Sequence, residues 1–395
     1  MAFNPVLFYE YGKGRGTFIS TWKTDNLSSG SSTSTQVKLP LESTGTYNFI
    51  VDWGDNTTPD NITTWNAAAV THTYSTAGTY TITIKGILIG FSFGSLANSA
   101  TSDRLKILTI SRWGRLRLGN SGGYFSGCTN ITLNTITDIL DLTGTTTLNS
   151  MFFECRLITT VGRMNEWNLS GVTILAAMFG MSVPSGTIGV GLFNQDIGAW
   201  NVSNVNDFNN MFRFTALFNN GNSSNIQNWN VSSAINMEGM FSRANKFNQP
   251  LANWERTTPG NTSTLANVTN MGNMFSSSNN SLGFNQPIGN WNVSSVQSMS
   301  NMFYRSPFDQ NIGNWVVSNV NNFVGFANPG SVIPFTTRAN LDAIYIGWST
   351  RPVVAGLTIN FSTNPLYGYS SASVAGRAIL TGAPNNWTIT DGGLL

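Results

Sequence analysis

Trp291-Asn292-Val293-Ser294-Ser295-Val296-Gln297-Ser298-Met299-Ser300-Asn301-Met302-Phe303 carries apolar residues two, five, eight, eleven and twelve places after its tryptophan. The same register recurs from Trp167 (Leu169, Val172, Leu175, Met178, Phe179), from Trp200 (Val202, Val205, Phe208, Met211, Phe212) and from Trp229 (Val231, Ala234, Met237, Met240, Phe241). From Trp315 it holds through Val317, Val320, Phe323 and Phe326. Self-similarity at such a period predicts stacked supersecondary units, a solenoid rather than an ordinary globular core. It also moves the functional expectation from catalysis towards surface recognition.

Within each unit the spacing changes. The step from Trp to its second neighbour is the alternation of a strand, while the later steps put apolar groups on one face of a helical turn. A second segment, Phe-Asn-Gln-x-Ile/Leu-x-x-Trp, precedes the Trp at 193–200, 247–254, 284–291 and 308–315. The expected rung is a turn-rich approach, a short strand at the Trp and a short helix ending in Met-Phe. Trp-to-Trp steps run from 24 residues (291 to 315) to 37 (254 to 291), and the longer ones add Gly, Ser, Thr, Asn and Pro at 182–191, 219–224, 257–264 and 276–283. Insertions of this kind map to loops, where ligand contacts are expected first. Tyr124-Phe125, Met151-Phe152 and Met178-Phe179, spaced 27 and 27, carry the stack further forward. Cys128 and Cys155 take the same place on adjacent rungs, as a ladder of buried thiols or as a bridge between rungs.

The run Phe284-Asn285-Gln286-Pro287-Ile288-Gly289-Asn290-Trp291-Asn292-Val293-Ser294-Ser295-Val296, with its Met302-Phe303 ending, resembles the BspA-like leucine-rich surface repeat. That family occurs in bacterial surface proteins and in some phage and large-virus proteins. The resemblance covers roughly residues 103–330 and implies an LRR-like solenoid with a role in adhesion or binding; it implies no reaction. Glu255-Arg256 and Val316 depart from the pattern, which bears only on local strand geometry there.

Ahead of the repeats, Tyr47-Asn48-Phe49-Ile50-Val51-Asp52-Trp53 alternates and runs into the turn Gly54-Asp55-Asn56, and His72-Thr73-Tyr74 and Gly78–Ile84 supply further strands. Asp52-Trp53-Gly54-Asp55 together with His72-Thr73-Tyr74 and Gly78-Thr79-Tyr80 resembles the PKD-type immunoglobulin-like domain, which implies a β-sandwich used for projection or display. His72, the single histidine, reads as structural, and Asp52 and Asp55 as caps of turn amides rather than cation ligands. Five basic residues lie on alternating apolar strands at 103–118, read as a solvated first face or as a docking patch for an acidic neighbour. Residues 1–16, with Pro5, Gly12, Gly14 and Gly16 between aromatics, read as a loose terminus or as an arm docking on a partner. After Gly330 a helix (340–349), a strand (357–361), a helix (373–380) and a last strand (387–390) suit a cap on the open end of the stack.

The expected fold is thus mainly β with short helices: an N-terminal arm (1–16), a PKD-like β-sandwich (17–102), a BspA-type solenoid (103–330) and an α/β cap (331–395). Only 10% of residues are charged, 12% are aromatic and the net charge is +2, a balance opposite to that of disorder and without a general drive towards nucleic acid or anionic membrane. No apolar run approaches the ~20 residues of a membrane span. Met1-Ala2-Phe3-Asn4-Pro5 does not open a secretory signal, which favours a virion component over a bacterial cell-surface adhesin; a carbohydrate-active secreted module is a third reading.

No enzyme is expected. One His and two separated Cys do not make a metal or triad site, and the stack's carboxylates, Asp196, Asp207, Glu238, Glu255 and Asp309, are scattered. The sequons at Asn201, Asn230 and Asn292 and the Trp set read as structural. Catalytic, metal and cofactor residues are expected to be none, and ligand-binding residues are left unassigned. Expected partners are other virion proteins through the N-terminal region and a host surface glycan or protein, with a homo-oligomer left open.

Overall fold

The computed structural model describes residues 16–94, 102–182, 191–258, 261–277 and 283–395. The arm at 1–15 and the segments 95–101, 183–190, 259–260 and 278–282 lie outside the described residues, and with them the docking role expected of the arm. The chain forms two compact units, Met1–Gly171 and Val172–Leu395. Its regular structure is mainly β, with few short helices.

In the first unit, β1 (Thr17–Lys23), β3 (Leu41–Asp52), β4 (Asp60–Ile62), β6 (Thr79–Phe91), β7 (Ile107–Arg112) and β8 (Leu116–Arg117) make one six-stranded sheet. The order is β4-β3-β6-β1-β7, with β8 parallel to β6. Alternation sets the faces: Phe18 and Trp22 of β1, Phe49 and Val51 of β3, and Ile82 and Ile84 of β6 are buried. Ser20 shares that buried face and is satisfied there by Trp22 Nε1 at 2.8 Å. In place of a second sheet of similar size, β2 (Gln36–Lys38) and β5 (Thr71–Thr73) form a separate antiparallel pair.

His72 lies on β5, stacked on Trp53 at 4.8 Å with Nε2 2.8 Å from Asp55 Oδ2. Asp52 accepts from the Gly54 amide and Asp55 from the Thr57 amide. Burial pushes the Asp55 carboxyl up, but the hydrogen bonds from Thr57 and His72 outweigh it and hold the group below its usual range.

The basic residues at 103–118 require a correction. Arg104 and Lys106 are neither a solvated face nor a docking patch: they are 5% and 0% exposed. Lys106 Nζ donates to Ser32 O, Ser32 Oγ, Thr33 O and Gln36 O at 2.7–2.9 Å and pairs with Asp103 at 3.5 Å. A buried ammonium persists only when its donors are met in this way. Arg117 does stay half-exposed, on Asp141.

Rungs begin within this unit. Gly123, Phe125 and Gly127 donate their amides to the carbonyls of Asn149, Met151 and Phe153. Cys128 and Cys155 are buried and free, and Cys155 Sγ donates to Phe125 O at 2.9 Å. Burial pushes both thiols well up from their ordinary range. Neither cysteine is therefore expected to react with Ellman's reagent at pH 8 in the native protein, and both in denaturant. Prompt native labelling of either would contradict this placement.

In the second unit, each rung bonds the next through parallel backbone contacts. Isolated bridges run Ile174–Asp207–Asn236–Asn270–Ser298–Asn322, seven places after the Trp in the regular rungs. Four amides per rung donate forward: Phe208, Asn210, Phe212 and Phe214 reach Asn236, Glu238, Met240 and Ser242, and the pattern repeats. Among the described residues the expected strand at the Trp is absent from the rungs of Trp167, Trp200, Trp229, Trp291 and Trp315, and the helix before Met-Phe is absent. The strand-like contact sits at the bridge position, and the Met-Phe segment is a chain of turns in which Met211, Arg213 and Thr215 each donate to the carbonyl three residues back. The apolar spacing of three matches that turn repeat rather than the 3.6 of an α-helix.

Three aromatic columns fill the interior. Trp200, Trp229, Trp254 and Trp291 stack at 6.0–6.4 Å with planes within 8°. Phe179, Phe212, Phe241, Phe275 and Phe303 form a second column, and Phe193, Phe218, Phe247, Phe284 and Phe308 a third; members of a pair lie 3.8–3.9 Å apart. Each indole from Trp229 onwards donates Nε1 to an earlier carbonyl, at Ile197, Ile226, Leu251 and Ile288.

The Asn of the Phe-Asn-Gln segment is a polar ladder. Asn194, Asn219, Asn248 and Asn285 each accept, through Oδ1, the backbone amide one rung on, at 2.8–3.0 Å. Asp309 ends this ladder. Its carboxylate accepts from the Thr337 amide and from both Thr336 and Thr337 hydroxyls, ahead of α1 (Arg338–Ser349). An acceptor-only anion suits hydroxyl donors and a helix N-terminus.

Helix α1 carries the Trp ladder one step further, with Trp348 Nε1 on Ile312 O at 3.2 Å. Next come β11 (Thr358–Asn360), α2 (Val374–Thr381) and β12 (Thr388–Thr390), β11 and β12 being paired in parallel. All four C-terminal elements fall where the sequence places them. A short hairpin of β9 (Arg256–Thr258) and β10 (Asn261–Ser263) fills part of the 257–264 insertion.

Candidate functional site

Two residues follow each Met-Phe pair into the outer bend: Arg213-Phe214, Ser242-Arg243, Ser276-Ser277 and Tyr304-Arg305. The amides of Phe214, Arg243, Ser277 and Arg305 each donate to the next rung at 2.7–3.0 Å, so these pairs stack in register. Phe214, Arg243 and Arg305 have φ of 60°, 58° and 54°. Left-handed backbone costs a non-glycine residue about 1–2 kcal/mol, and a bulky residue there is uncommon. The preceding bend, also left-handed, uses residues that tolerate it better in the rungs from Trp200 onwards: Asn210, Gly239, Asn273, Asn301 and Gly325. Strain held at one repeated position, with large side chains on it, points from geometry towards function.

All side chains of the four pairs except that of Arg305 line an open groove of about 450 Å³. Arg213, Phe214, Arg243 and Tyr304 stand along it, with Asn273 and Asn301 beneath and Glu238 on its wall. Arg213 and Arg243 place their guanidinium carbons 4.9 and 4.8 Å from the Phe214 ring centre, and Arg305 sits 4.8 Å from that of Tyr304. Such contacts hold guanidinium planes in place while leaving their N–H edges free. Among the described residues Arg213, Arg243 and Arg305 have no carboxylate within ion-pair distance and no hydrogen-bond acceptor, and Arg305 Nε is buried without a partner. Arg117, Arg156, Arg163 and Arg377 are all paired with carboxylates. Burial, and then the charge of Arg243, lower the Arg213 guanidinium pKa. The arrangement can hold an anion against an aromatic face.

Most of the residues singled out in the sequence lie elsewhere. Trp167, Trp200, Trp229, Trp254, Trp291 and Trp315 are all at most 3% exposed. Asn201, Asn230 and Asn292 accept the amides of Ser203, Ser232 and Ser294 in Asx turns. Asp196 bonds the Gly198 amide, Asp207 the Asn209 amide, and Glu255 the amides of Leu265 and Asn292. Of the five carboxylates only Glu238 borders the groove. Of the insertions expected to make ligand contacts, 276–283 contributes Ser276 and Ser277 to the groove, whereas 219–224 serves the Asn ladder. The groove residues were missed because nothing periodic marks them; the available signal was their shared place after Met-Phe.

A family model described as "Mycoplasma protein of unknown function, DUF285" matches residues 120–254 and 261–329, just over half the chain. The chain belongs to the DUF285 family. This supports a BspA-like surface repeat protein, as the repeat register implies. No curated protein and no solved structure matches the DUF285 chain. Among its described residues no helix is long and apolar enough to cross a membrane.

Proposed function

We propose that this DUF285 chain is a non-enzymatic surface-display protein of a virus particle, a phage tail-fibre, spike or head-decoration component. Residues 103–330 form an LRR-like solenoid that adheres to a host envelope. Residues 17–102, a PKD-like β domain, project it from neighbouring virion proteins, and residues 331–395 close its far end. The observation that carries the adhesive role is the groove: guanidiniums without a carboxylate partner and aromatic rings stand on three of the four rungs that line it, with Phe214 and Arg243 at left-handed backbone positions. The parallel ladder from Ile174 to Asn322 supports the solenoid, and the resemblance to repeats of phage and large-virus proteins supports the virion. Weak contacts repeated over many copies gain avidity from multivalency.

Immunogold labelling of intact virus particles and of intact cells tests the location. Labelling of particle surfaces is the expected result. Labelling of cell surfaces alone would transfer the display role to a cellular adhesin, and labelling only after lysis would overturn surface display.

A further inference from the structure

We infer that the groove formed by Arg213, Phe214, Arg243 and Tyr304 binds an anionic polysaccharide. The inference deepens the adhesive reading by naming its ligand class, and it is measured on the isolated chain, independently of where the protein is displayed.

Three features converge. First, the guanidiniums of Arg213 and Arg243 share one ring, Phe214, at 4.9 and 4.8 Å, and among the described residues neither has an ion pair or a hydrogen-bond acceptor, the Glu238 charge acting on Arg213 only from beyond ion-pair distance. Two like charges held together in this way repel, and a bound anion between them relieves the repulsion. Guanidinium N–H edges match carboxylate and phosphate oxygens in bidentate geometry. Second, Tyr304, with a single guanidinium against its ring, offers aromatic surface beside the charges, suited to the apolar face of a sugar ring. Asn273 and Asn301 make no side-chain hydrogen bond among the described residues, and their amides can both donate to and accept from hydroxyls. Third, the groove runs across four rungs. At the ~4.8 Å spacing of paired backbones it spans roughly 14 Å, which suits an extended chain better than a single small ion. A neutral glycan would leave the guanidiniums unmatched. Glu238 on the wall disfavours dense negative charge there and favours a ligand whose charges are spaced by neutral hydroxyls.

The test is titration of the full chain with polygalacturonate, a phosphate-bearing teichoic acid and neutral dextran, repeated for R213Q/R243Q and for R117Q as a surface control. Binding to polygalacturonate or teichoic acid that falls with added salt, with the double variant weaker by about tenfold or more and R117Q unchanged, is the expected result. The better of the two acidic polymers identifies carboxylate or phosphate as the charge read. Dextran bound as tightly as both acidic polymers, or a folded R213Q/R243Q chain binding them unchanged, would overturn the inference. Circular dichroism and the unfolding midpoint establish that the variant is folded, and F214A gives a second route if it is not. Loss of adhesion to whole envelopes with polymer binding intact would count against the display reading alone.

Discussion

Replacing Trp291 by alanine is expected to cost about 3–5 kcal/mol of unfolding free energy, the range for a large buried aromatic. The indole is 3% exposed, stacks on Trp254 at 6.0 Å and lies 6.2 Å from Phe275. Its Nε1 is the hydrogen-bond partner of Leu251 O, which would be left without that donor in the interior. The damage has a direction as well as a size, because rungs are stabilised chiefly by nearest neighbours. Urea unfolding followed by fluorescence and circular dichroism should shift to lower denaturant and split into two transitions, one on each side of the lesion. Trp65, 47% exposed, is the matched control, and its alanine variant should stay within about 0.5 kcal/mol of the parent. A Trp291→Ala protein with an unchanged midpoint would refute the core assignment of the whole tryptophan column.

Gly347→Ala is expected to unseat the C-terminal cap. A β-carbon there would lie 2.0 Å from Gly313 O, and one on Gly313 would lie 2.2 Å from Ala343 O, so α1 rests on the last repeat backbone to backbone. No flexible side chain can yield. The helix must move away, which loosens the Trp348 Nε1 bond to Ile312 O and the 5.4 Å stack of Trp348 on Phe323. Overpacking of this kind costs roughly 1–3 kcal/mol, and more where only backbone can shift. Uncovered apolar surface and an open backbone edge then invite association. Light scattering should show self-association of Gly347→Ala at concentrations where the parent is unchanged, and limited proteolysis should cut between 331 and 337. A variant that matches the parent in both assays would show that the cap tolerates the extra carbon.

The interior of this protein is legible in the sequence because its aromatic columns repeat in register: Trp200, Trp229 and Trp291 announce a shared environment before any coordinates are seen. The four C-terminal elements are legible for an ordinary reason, since amphipathic spacing at Leu341, Ile344, Tyr345 and Trp348 has few competing interpretations. The form of the rung was not legible. Over two or three steps an apolar spacing of three cannot be told from 3.6, and here consecutive turns satisfy the backbone where a helix was expected. The burial of Lys106 depends on carbonyls about 70 residues earlier, and a local reading of charge could not reach them. The groove was hidden in a related way. Arg213 and Tyr304 are 91 positions apart in the chain and come to line one groove only because the rungs between them stack in register.

The Asn ladder has a consequence for how such a protein can change length. Each of Asn194, Asn219, Asn248 and Asn285 shows the following rung the same acceptor and receives the same donor from it, so one interface is copied along the stack. Excising or duplicating a whole unit joins faces that already fit, whereas a partial deletion breaks the register. Only Asp309 is tied to its place, because it meets a helix rather than another rung. The molecule therefore behaves as a graduated rule, adjustable by recombination between repeats, with an outer edge that lengthens in increments of about 4.8 Å.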